Sequence, residues 1–121
     1  MSINSSDLSV IANTNLVSLR QVLLDLFVKL AYQEGDFLLS SGQKSSYYIN
    51  GKQVTLRGDG ALAIGRLIFA MLPENTQAVA GLTLGADPIV TAVSVVSAYE
   101  NNPLPALIVR KEAKGHGTMA Y

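Results

Sequence analysis

The chain has 121 residues, of which 49% are hydrophobic and 15% are charged. This length suits one ordinary domain with a buried core, and this composition excludes a chain that is disordered throughout. The formal net charge is zero, so no overall field would attract the chain to nucleic acid or to an anionic membrane. We therefore expect neither partner, and any anion must be bound by a local cluster of cations.

The counts of metal-binding and redox residues are low, with no cysteine and one histidine. They exclude disulfides and thiolate chemistry and disfavour a zinc site. The first 17 residues lack the basic start and apolar core of a secretory signal. The longest apolar stretch, Ala61–Leu72, is too short to cross a bilayer and contains Arg66. We expect a cytoplasmic protein.

The N-terminal third contains one clear helix signal. Residues 1–17 are rich in Ser and Asn without a hydrophobic period, which predicts a flexible or loosely docked leader. Ser18 and Gln21 form a capping-box pattern, and apolar residues at helical spacing continue to Leu30. A helix is therefore predicted from Ser18, with Gly35 as its stop signal.

The remaining pattern is of short strands first, and of alternating helices and strands afterwards. Ser-Gly and Asn-Gly breaks separate three predicted strands, Phe37–Leu39, Ser45–Asn50 and Gln53–Leu56. Two helices follow, one over Gly60–Leu72 capped by Asp59, and one from an Asp87 cap and Pro88 to about Glu100. Two buried strands accompany them, Ala78–Leu82 and Pro105–Val109.

This order predicts an α/β fold with a crossover unit in a parallel sheet. We divide the chain into a leader (1–17), an N-terminal helix with its strands (18–57), and the start of an α/β core (58–121).

A basic segment after the last predicted strand is the first candidate site. Arg110, Lys111, Lys114 and His116 place four cationic groups within seven residues. They follow the carboxyl end of a strand, where ligands bind in open α/β sheets. Glycines on both sides of the histidine predict a mobile loop that an anion can approach closely. The alternative is a solvated surface loop, and charge spacing alone does not decide between the two.

Two further segments are candidates for anion or ring binding. Ser40–Ser46 offers hydroxyls and backbone N–H groups, and Tyr47 and Tyr48 after it offer flat faces, although a turn between strands explains the pattern better. Gly81–Pro88 leads from a strand into a helix whose N-terminus could bind an anion. It matches neither the dinucleotide fingerprint nor the P-loop, and Asp87 would oppose a phosphate, so a structural turn is favoured.

Taken in order, three segments resemble the orotate phosphoribosyltransferase family: Phe37–Asn50 (FLLSSGQKSSYYIN), Gly81–Ile89 (GLTLGADPI) and Val109–Thr118 (VRKEAKGHGT). The similarity runs from about Leu19 to Thr118. It implies the N-terminal portion of a type I phosphoribosyltransferase fold, a parallel sheet with flanking helices, together with a small hood of one helix and short strands.

The resemblance implies a reaction in pyrimidine nucleotide biosynthesis. Orotate and phosphoribosyl pyrophosphate would give orotidine 5′-monophosphate and pyrophosphate, with Mg²⁺ as cofactor. Negative charge grows on the leaving pyrophosphate as its bond to the ribose weakens. Cations directed at that group, in a site from which a closing loop excludes water, lower the barrier.

Residue roles also follow from the resemblance. Lys114 would stabilise the leaving group with support from His116, and Tyr48 and Ile49 would lie against the orotate ring. The family is usually a homodimer whose loop reaches the neighbouring subunit's site. The residues that would contact phosphoribosyl pyrophosphate are Arg110, Lys111, Lys114 and His116.

The sequence departs from the family pattern in two ways. Ser40 and Leu84-Gly85 stand where some members carry lysine or a Tyr-Lys pair, so phosphate contacts are not transferred to them. The family's phosphate loop, a strand with two acidic residues before a Thr/Gly-rich turn, is not among the 121 residues. We therefore expect little or no turnover by this chain alone. The alternative function is a non-catalytic remnant or a nucleotide-binding regulatory module of the same fold.

Overall fold

A computed structural model of the chain describes residues 5–112. These residues form five helices and four strands. The helices are α1 (Ser5–Asn13), α2 (Leu16–Leu30), α3 (Lys52–Thr55), α4 (Gly58–Met71) and α5 (Asp87–Tyr99), and the strands are β1 (Tyr32–Leu38), β2 (Lys44–Ile49), β3 (Val79–Leu82) and β4 (Ala106–Val109).

The strands form two separate two-stranded sheets. β1 and β2 pair antiparallel as a hairpin, with a register shift between Glu34 and Phe37. β3 and β4 pair parallel, from Val79 opposite Ala106 to Leu82 opposite Val109, and α5 makes the crossover between them. The predicted α/β fold with a parallel sheet is confirmed, as are the three strands that became β2, β3 and β4.

The core lies where the long helices meet. One buried cluster joins α2 to α3 and α4 through Leu26, Val54 and Ile64, and a second joins α1 and α2 to α4. Helices α4 and α5 approach each other closely at Gly65. A Cβ added there would lie 2.7 Å from the Ala92 carbonyl oxygen of α5, so the absence of a side chain sets this spacing.

Residues 5–13 of the predicted flexible or loosely docked leader form helix α1, which the missing hydrophobic period did not indicate. Ile11 is buried at 3% exposure, and its carbonyl oxygen accepts a hydrogen bond from Nη1 of Arg66 on α4, at 2.9 Å. This docking supplies the stabilisation that a short Ser- and Asn-rich segment lacks by itself. The predicted division of the chain into three parts stays a prediction.

The first long helix begins and ends earlier than predicted. Its N-cap is Asn15, whose side-chain oxygen accepts a hydrogen bond from the backbone N–H of Ser18 at 2.9 Å. Ser18 is therefore inside the helix rather than at its start. The helix ends at Leu30, and Gly35 lies within β1 with φ +152°, beside the register shift.

The predicted strand Gln53–Leu56 was wrong, because Lys52–Thr55 is helix α3. Hydrogen bonds from the N–H groups of Val54 and Thr55 to the Gly51 carbonyl close its turn. A four-residue apolar segment cannot distinguish a period of two from a period of 3.6.

Both predicted aspartate caps were also wrong. Arg57 is the N-cap of α4 and Ala86 that of α5, and neither makes a side-chain capping bond. Asp59 and Asp87 instead lie in the first turns of their helices, where a negative charge interacts favourably with the helix dipole.

Candidate active site

The β1–β2 hairpin presents the tyrosines that the sequence singled out. The rings of Tyr48 and Phe37 lie 5.7 Å apart at an interplanar angle of 31° on one face of the hairpin. The rings of Tyr32 and Tyr47 stack 6.0 Å apart on the other face. Because side chains alternate along a strand, the Tyr48 and Ile49 side chains leave β2 on opposite faces. The hairpin therefore does not place both side chains on one surface.

The Tyr32 hydroxyl interacts with the Glu34 carboxylate within β1. It donates a hydrogen bond to the Glu34 carboxylate at 3.3 Å. Partial burial, and then the nearby Glu34 charge, raise the pKa of Tyr32 above its ordinary value. The phenol is therefore neutral at physiological pH and acts as a donor.

An open hollow lies beside Tyr48, at the turn of the hairpin. Its volume is 640 Å³, and Gln33, Phe37, Ser40 and Ser41 line it together with Tyr48. The hollow combines aromatic rings with an amide and hydroxyls, which suits a planar polar ligand.

The serine-rich segment of the hairpin also forms hydrogen bonds that stabilise the hairpin itself. The Ser45 hydroxyl donates to the Tyr47 carbonyl oxygen at 2.7 Å and accepts from the Tyr47 N–H. The Gln43 N–H reaches the Ser41 hydroxyl at 3.4 Å. Gly42 has φ +88°, which side chains rarely adopt, and its N–H closes the turn on Leu39. The prediction of a turn between strands is confirmed here.

The carboxyl edge of the parallel sheet joins the other two candidate segments. The backbone N–H of Thr83 donates to the Val109 carbonyl oxygen at 2.9 Å, so the turn after β3 lies beside the end of β4. Arg110 and Lys111 follow directly and are exposed. Lys114 and His116 lie outside the described residues. Arg110 and Lys111, the two residues of the basic segment that the structure describes, are thus at the edge where ligands bind in such sheets.

The turn from β3 into α5 is held by its own side chains. The Thr83 hydroxyl donates to Oδ2 of Asp87 at 2.7 Å. The other carboxylate oxygen, Oδ1, is buried and has no hydrogen-bond partner among residues 5–112. Leu84 at the centre of the turn is 80% exposed.

A groove between α3, α4 and α5 was not predicted from the sequence. It has a volume of 790 Å³ and mainly apolar walls, with Thr55, Arg57 and Asp87 among its polar residues. It depends on α3, which the sequence pattern indicated as a strand. The groove could have been predicted from the sequence only if Lys52–Thr55 had been recognised as a helix.

Arg57 and Asp59 form the principal ion pair beside this groove. Two hydrogen bonds of 3.1 Å join the guanidinium Nε and Nη2 to the two carboxylate oxygens. Burial by itself raises the pKa of Asp59, but the hydrogen bond from Arg57, the Gly60 N–H and the guanidinium charge outweigh it. The pKa of Asp59 is therefore below its ordinary value, and the same hydrogen bond raises the pKa of Arg57.

Residues 5–112 contain no group of three or more His, Cys, Asp or Glu side chains placed to hold a metal ion. Within the same range, no helix combines the length and the hydrophobicity needed to cross a bilayer.

Comparison with known proteins identifies relatives of this chain, although no family model matches it. An orotate phosphoribosyltransferase of Nostoc sp. (strain PCC 7120) is 74% identical over 110 residues, which are 91% of this chain and 53% of that protein. The structure of Mycobacterium tuberculosis orotate phosphoribosyltransferase with Fe(III) dicitrate matches with a TM-score of 0.67 and 37% identity, over 82% of this chain and 55% of that one.

The same M. tuberculosis enzyme in complex with 5-phospho-α-D-ribosyl 1-diphosphate matches with a TM-score of 0.61 and 33% identity, over 82% of this chain and 57% of that one. The chain spans about half the length of the curated relatives it matches. It is related by sequence and by fold to the orotate phosphoribosyltransferases, and its fold is part of a type I phosphoribosyltransferase fold.

Proposed function

We propose that the protein to which this chain contributes is an orotate phosphoribosyltransferase, which forms orotidine 5′-monophosphate and pyrophosphate from orotate and phosphoribosyl pyrophosphate. The observation that carries the proposal is the 74% identity to the Nostoc relative over 91% of this chain. The fold similarity to a relative in complex with 5-phospho-α-D-ribosyl 1-diphosphate supports the choice of substrate.

The basic segment is proposed to bind the pyrophosphate part of the substrate. Arg110 and Lys111 follow β4 at the carboxyl edge of the sheet, and Lys114 and His116 continue the same segment. As the bond to the ribose breaks, negative charge accumulates on the pyrophosphate oxygens. A lysine ammonium and a histidine N–H directed at those oxygens stabilise this charge more in the transition state than in the ground state. Lys114 is proposed as the main group and His116 as its support.

The hairpin is proposed to bind orotate. Tyr48 presents its ring to the hollow at the hairpin turn, and its contact with Phe37 fixes the orientation of that ring. Because the Ile49 side chain leaves the other face, we expect Ile49 to line the same subsite through its backbone. The Gln33 amide and the Ser40 hydroxyl in the hollow can hydrogen-bond to the polar edge of a pyrimidine.

Three further properties belong to the proposal. Mg²⁺ is expected with the substrate, because phosphate oxygens are its usual ligands and residues 5–112 do not provide a cluster for it. A homodimer in which the basic segment serves the neighbouring subunit, and a cytoplasmic location, are also proposed.

The activity is tested with a fusion protein in which the 121 residues are joined to the remaining part of the Nostoc relative. The purified fusion protein is mixed with orotate, phosphoribosyl pyrophosphate and Mg²⁺, and the loss of orotate absorbance is followed. Sustained turnover is expected. A folded fusion protein without turnover would contradict the proposal and favour a non-catalytic remnant or regulatory module. The 121-residue chain is assayed in parallel, and robust turnover by it would refute the expectation that it is inactive alone.

The role of the basic segment is tested by a matched pair of lysine variants in the fusion protein. Lys114→Ala should lower kcat by about 100-fold or more, the size seen when one group that stabilises a developing anion is removed. Lys44→Ala removes the same charge at the start of β2, outside the basic segment of the sequence, and should leave kcat within about twofold of the unchanged protein. Equal effects of the two substitutions would contradict the assigned role.

Action between subunits is tested by mixing. Lys114→Ala is combined with a second inactive variant, altered in the Nostoc-derived part that is expected to bind the ribose phosphate. If the basic segment serves the partner's site, hybrid dimers contain one intact site and recover activity. Two preparations that stay inactive after subunit exchange would argue against it.

A further inference from the structure

We propose that Thr83 and Asp87 form a positioning pair, which holds the turn between β3 and α5 in the conformation that receives the pyrophosphate of the substrate. The inference rests on the proposed function and assigns a role to two residues that do not themselves touch the substrate. Its basis is the 2.7 Å hydrogen bond from the Thr83 hydroxyl to Oδ2 of Asp87, which bridges the two ends of the turn.

The backbone of the turn is fixed at each end and open in the middle. The Thr83 N–H donates to Val109, the Ala86 N–H to Leu82, and the Asp87 N–H to Leu84. Among residues 5–112, the N–H groups of Leu84 and Gly85 have no hydrogen-bond acceptor. The centre of the turn therefore offers two unpaired donors on an exposed surface, as an anion-binding turn does.

The turn has little freedom to move towards the strand that precedes it. A Cβ added at Gly81 of β3 would lie 2.4 Å from the Ala86 Cβ, so the end of the turn packs directly on the strand. Its side-chain support is the Thr83–Asp87 bond, which adds to the backbone hydrogen bonds at its two ends. Loss of that bond releases the segment between them, while the packing at Gly81 remains.

Neither helix capping nor the favourable position of Asp87 in the first turn of α5 explains why one oxygen of its carboxylate is buried without a partner among residues 5–112. The carboxylate makes no capping hydrogen bond for α5, and its Oδ1 is buried without a partner among the described residues. A buried, unpartnered carboxylate oxygen destabilises a fold, and such atoms call for a specific explanation. A positioning role supplies one, because the carboxylate orientation that buries Oδ1 is the one in which Oδ2 accepts from the Thr83 hydroxyl.

The location of the turn connects this pair to the substrate. The Thr83–Val109 hydrogen bond places the turn beside the strand that leads into Arg110 and Lys111. A pyrophosphate held by those cations at the sheet edge lies next to the open N–H groups of the turn. The pair then affects binding of phosphoribosyl pyrophosphate and leaves orotate binding at the hairpin unchanged.

The test uses threonine variants of the fusion protein. Thr83→Val keeps the shape of the side chain and removes the hydroxyl, and it should raise the KM for phosphoribosyl pyrophosphate about tenfold, the effect of losing one hydrogen bond to a charged group. The KM for orotate should stay unchanged. Thr83→Ser restores a hydroxyl and should restore the KM. Thr91→Val is the matched control, because the Thr91 hydroxyl donates to the Asp87 backbone carbonyl, at 2.7 Å, one turn further along α5.

Aspartate variants provide a second measurement where Thr83→Val does not fold. Asp87→Ala should raise the KM for phosphoribosyl pyrophosphate as Thr83→Val does, and Asp87→Asn should raise it less because the amide oxygen still accepts from Thr83. An unchanged KM in the Thr83 and Asp87 variants would overturn the inference, as would an equal rise in Thr91→Val. An unsubstituted fusion protein without turnover overturns the proposed function itself, which separates the two failures.

Discussion

The close contact of α4 with α5 gives a sharp stability prediction. A Cβ at Gly65 would lie 2.7 Å from the Ala92 carbonyl oxygen and 2.9 Å from Cγ2 of Val96, both on α5. The valine side chain can rotate, but the carbonyl belongs to the helix backbone and cannot. Gly65→Ala therefore requires the two helices to separate by several tenths of an ångström.

The magnitude is the difference between two effects. Overpacking in a core costs about 1–3 kcal/mol, and a backbone obstacle places this site in the upper part of that range. Alanine stabilises a helix interior by about 1 kcal/mol relative to glycine. We expect a net loss of about 1.5 kcal/mol in the free energy of unfolding. For a protein of the fusion's size, this lowers Tm by roughly 3–6 °C.

The assay is thermal unfolding of the fusion protein, followed by circular dichroism, with Gly58→Ala as control. Gly58 is the first residue of the same helix, and a Cβ there would meet no atom within 4 Å. Gly58→Ala should leave Tm unchanged or raise it slightly. A Gly65→Ala protein that melts at or above the Tm of the unsubstituted protein would refute the reasoning, as would equal losses in the two variants.

Three further predictions concern caps and buried polar groups. Asn15→Ala removes the cap of α2 and should cost about 1 kcal/mol in the free energy of unfolding by urea, whereas Asn15→Ser should retain most of it. Ser97→Ala leaves the buried Leu104 N–H without its 2.8 Å acceptor and should cost about 2 kcal/mol in the same assay; a loss below about 0.5 kcal/mol would contradict that role. The pKa of Asp59 is lower in the folded than in the unfolded chain, so its stabilising contribution is present above its ordinary pKa of 3.8 and is lost as pH falls through the lower folded pKa. Asp59→Asn should therefore weaken the pH dependence of Tm in that acid range. An unchanged fall of Tm with pH in this range would count against the pairing with Arg57.

The sequence predicted the parts of the fold in which local and tertiary preferences agree. The strands at 79–82 and 106–109 are apolar runs bounded by turn residues, and the helix between them has a proline in its first turn, so all three were found. Helices α1 and α3 were missed because they are short and depend on distant partners. Ile11 is held by Arg66, 55 residues away, and no local pattern reports such a contact.

The candidate site divides in the same way. The place of Arg110 and Lys111 at the sheet edge followed from the order of strands and helices, and the turn between the strands that carry Phe37 and Tyr48 followed from its Ser-Gly break. The bond between Thr83 and Asp87 did not, because Asp87 matched the pattern of a helix cap. The Thr83 hydroxyl, four residues earlier, competes with the backbone N–H groups of α5 for the Asp87 carboxylate. Sequence spacing alone does not show which of these donors the carboxylate accepts from.

The hairpin has a consequence for the way the protein opens. Its two aromatic pairs join hairpin residues to each other, and Leu38, Tyr48 and Ile49 are exposed. An element stabilised mainly by its own local contacts opens at a lower free energy than the helical core. We therefore expect the backbone amides of 32–49 to exchange with deuterium earlier than those of α2 and α4. A ligand held in the hollow beside Tyr48 would slow exchange in the hairpin selectively and leave the core unchanged.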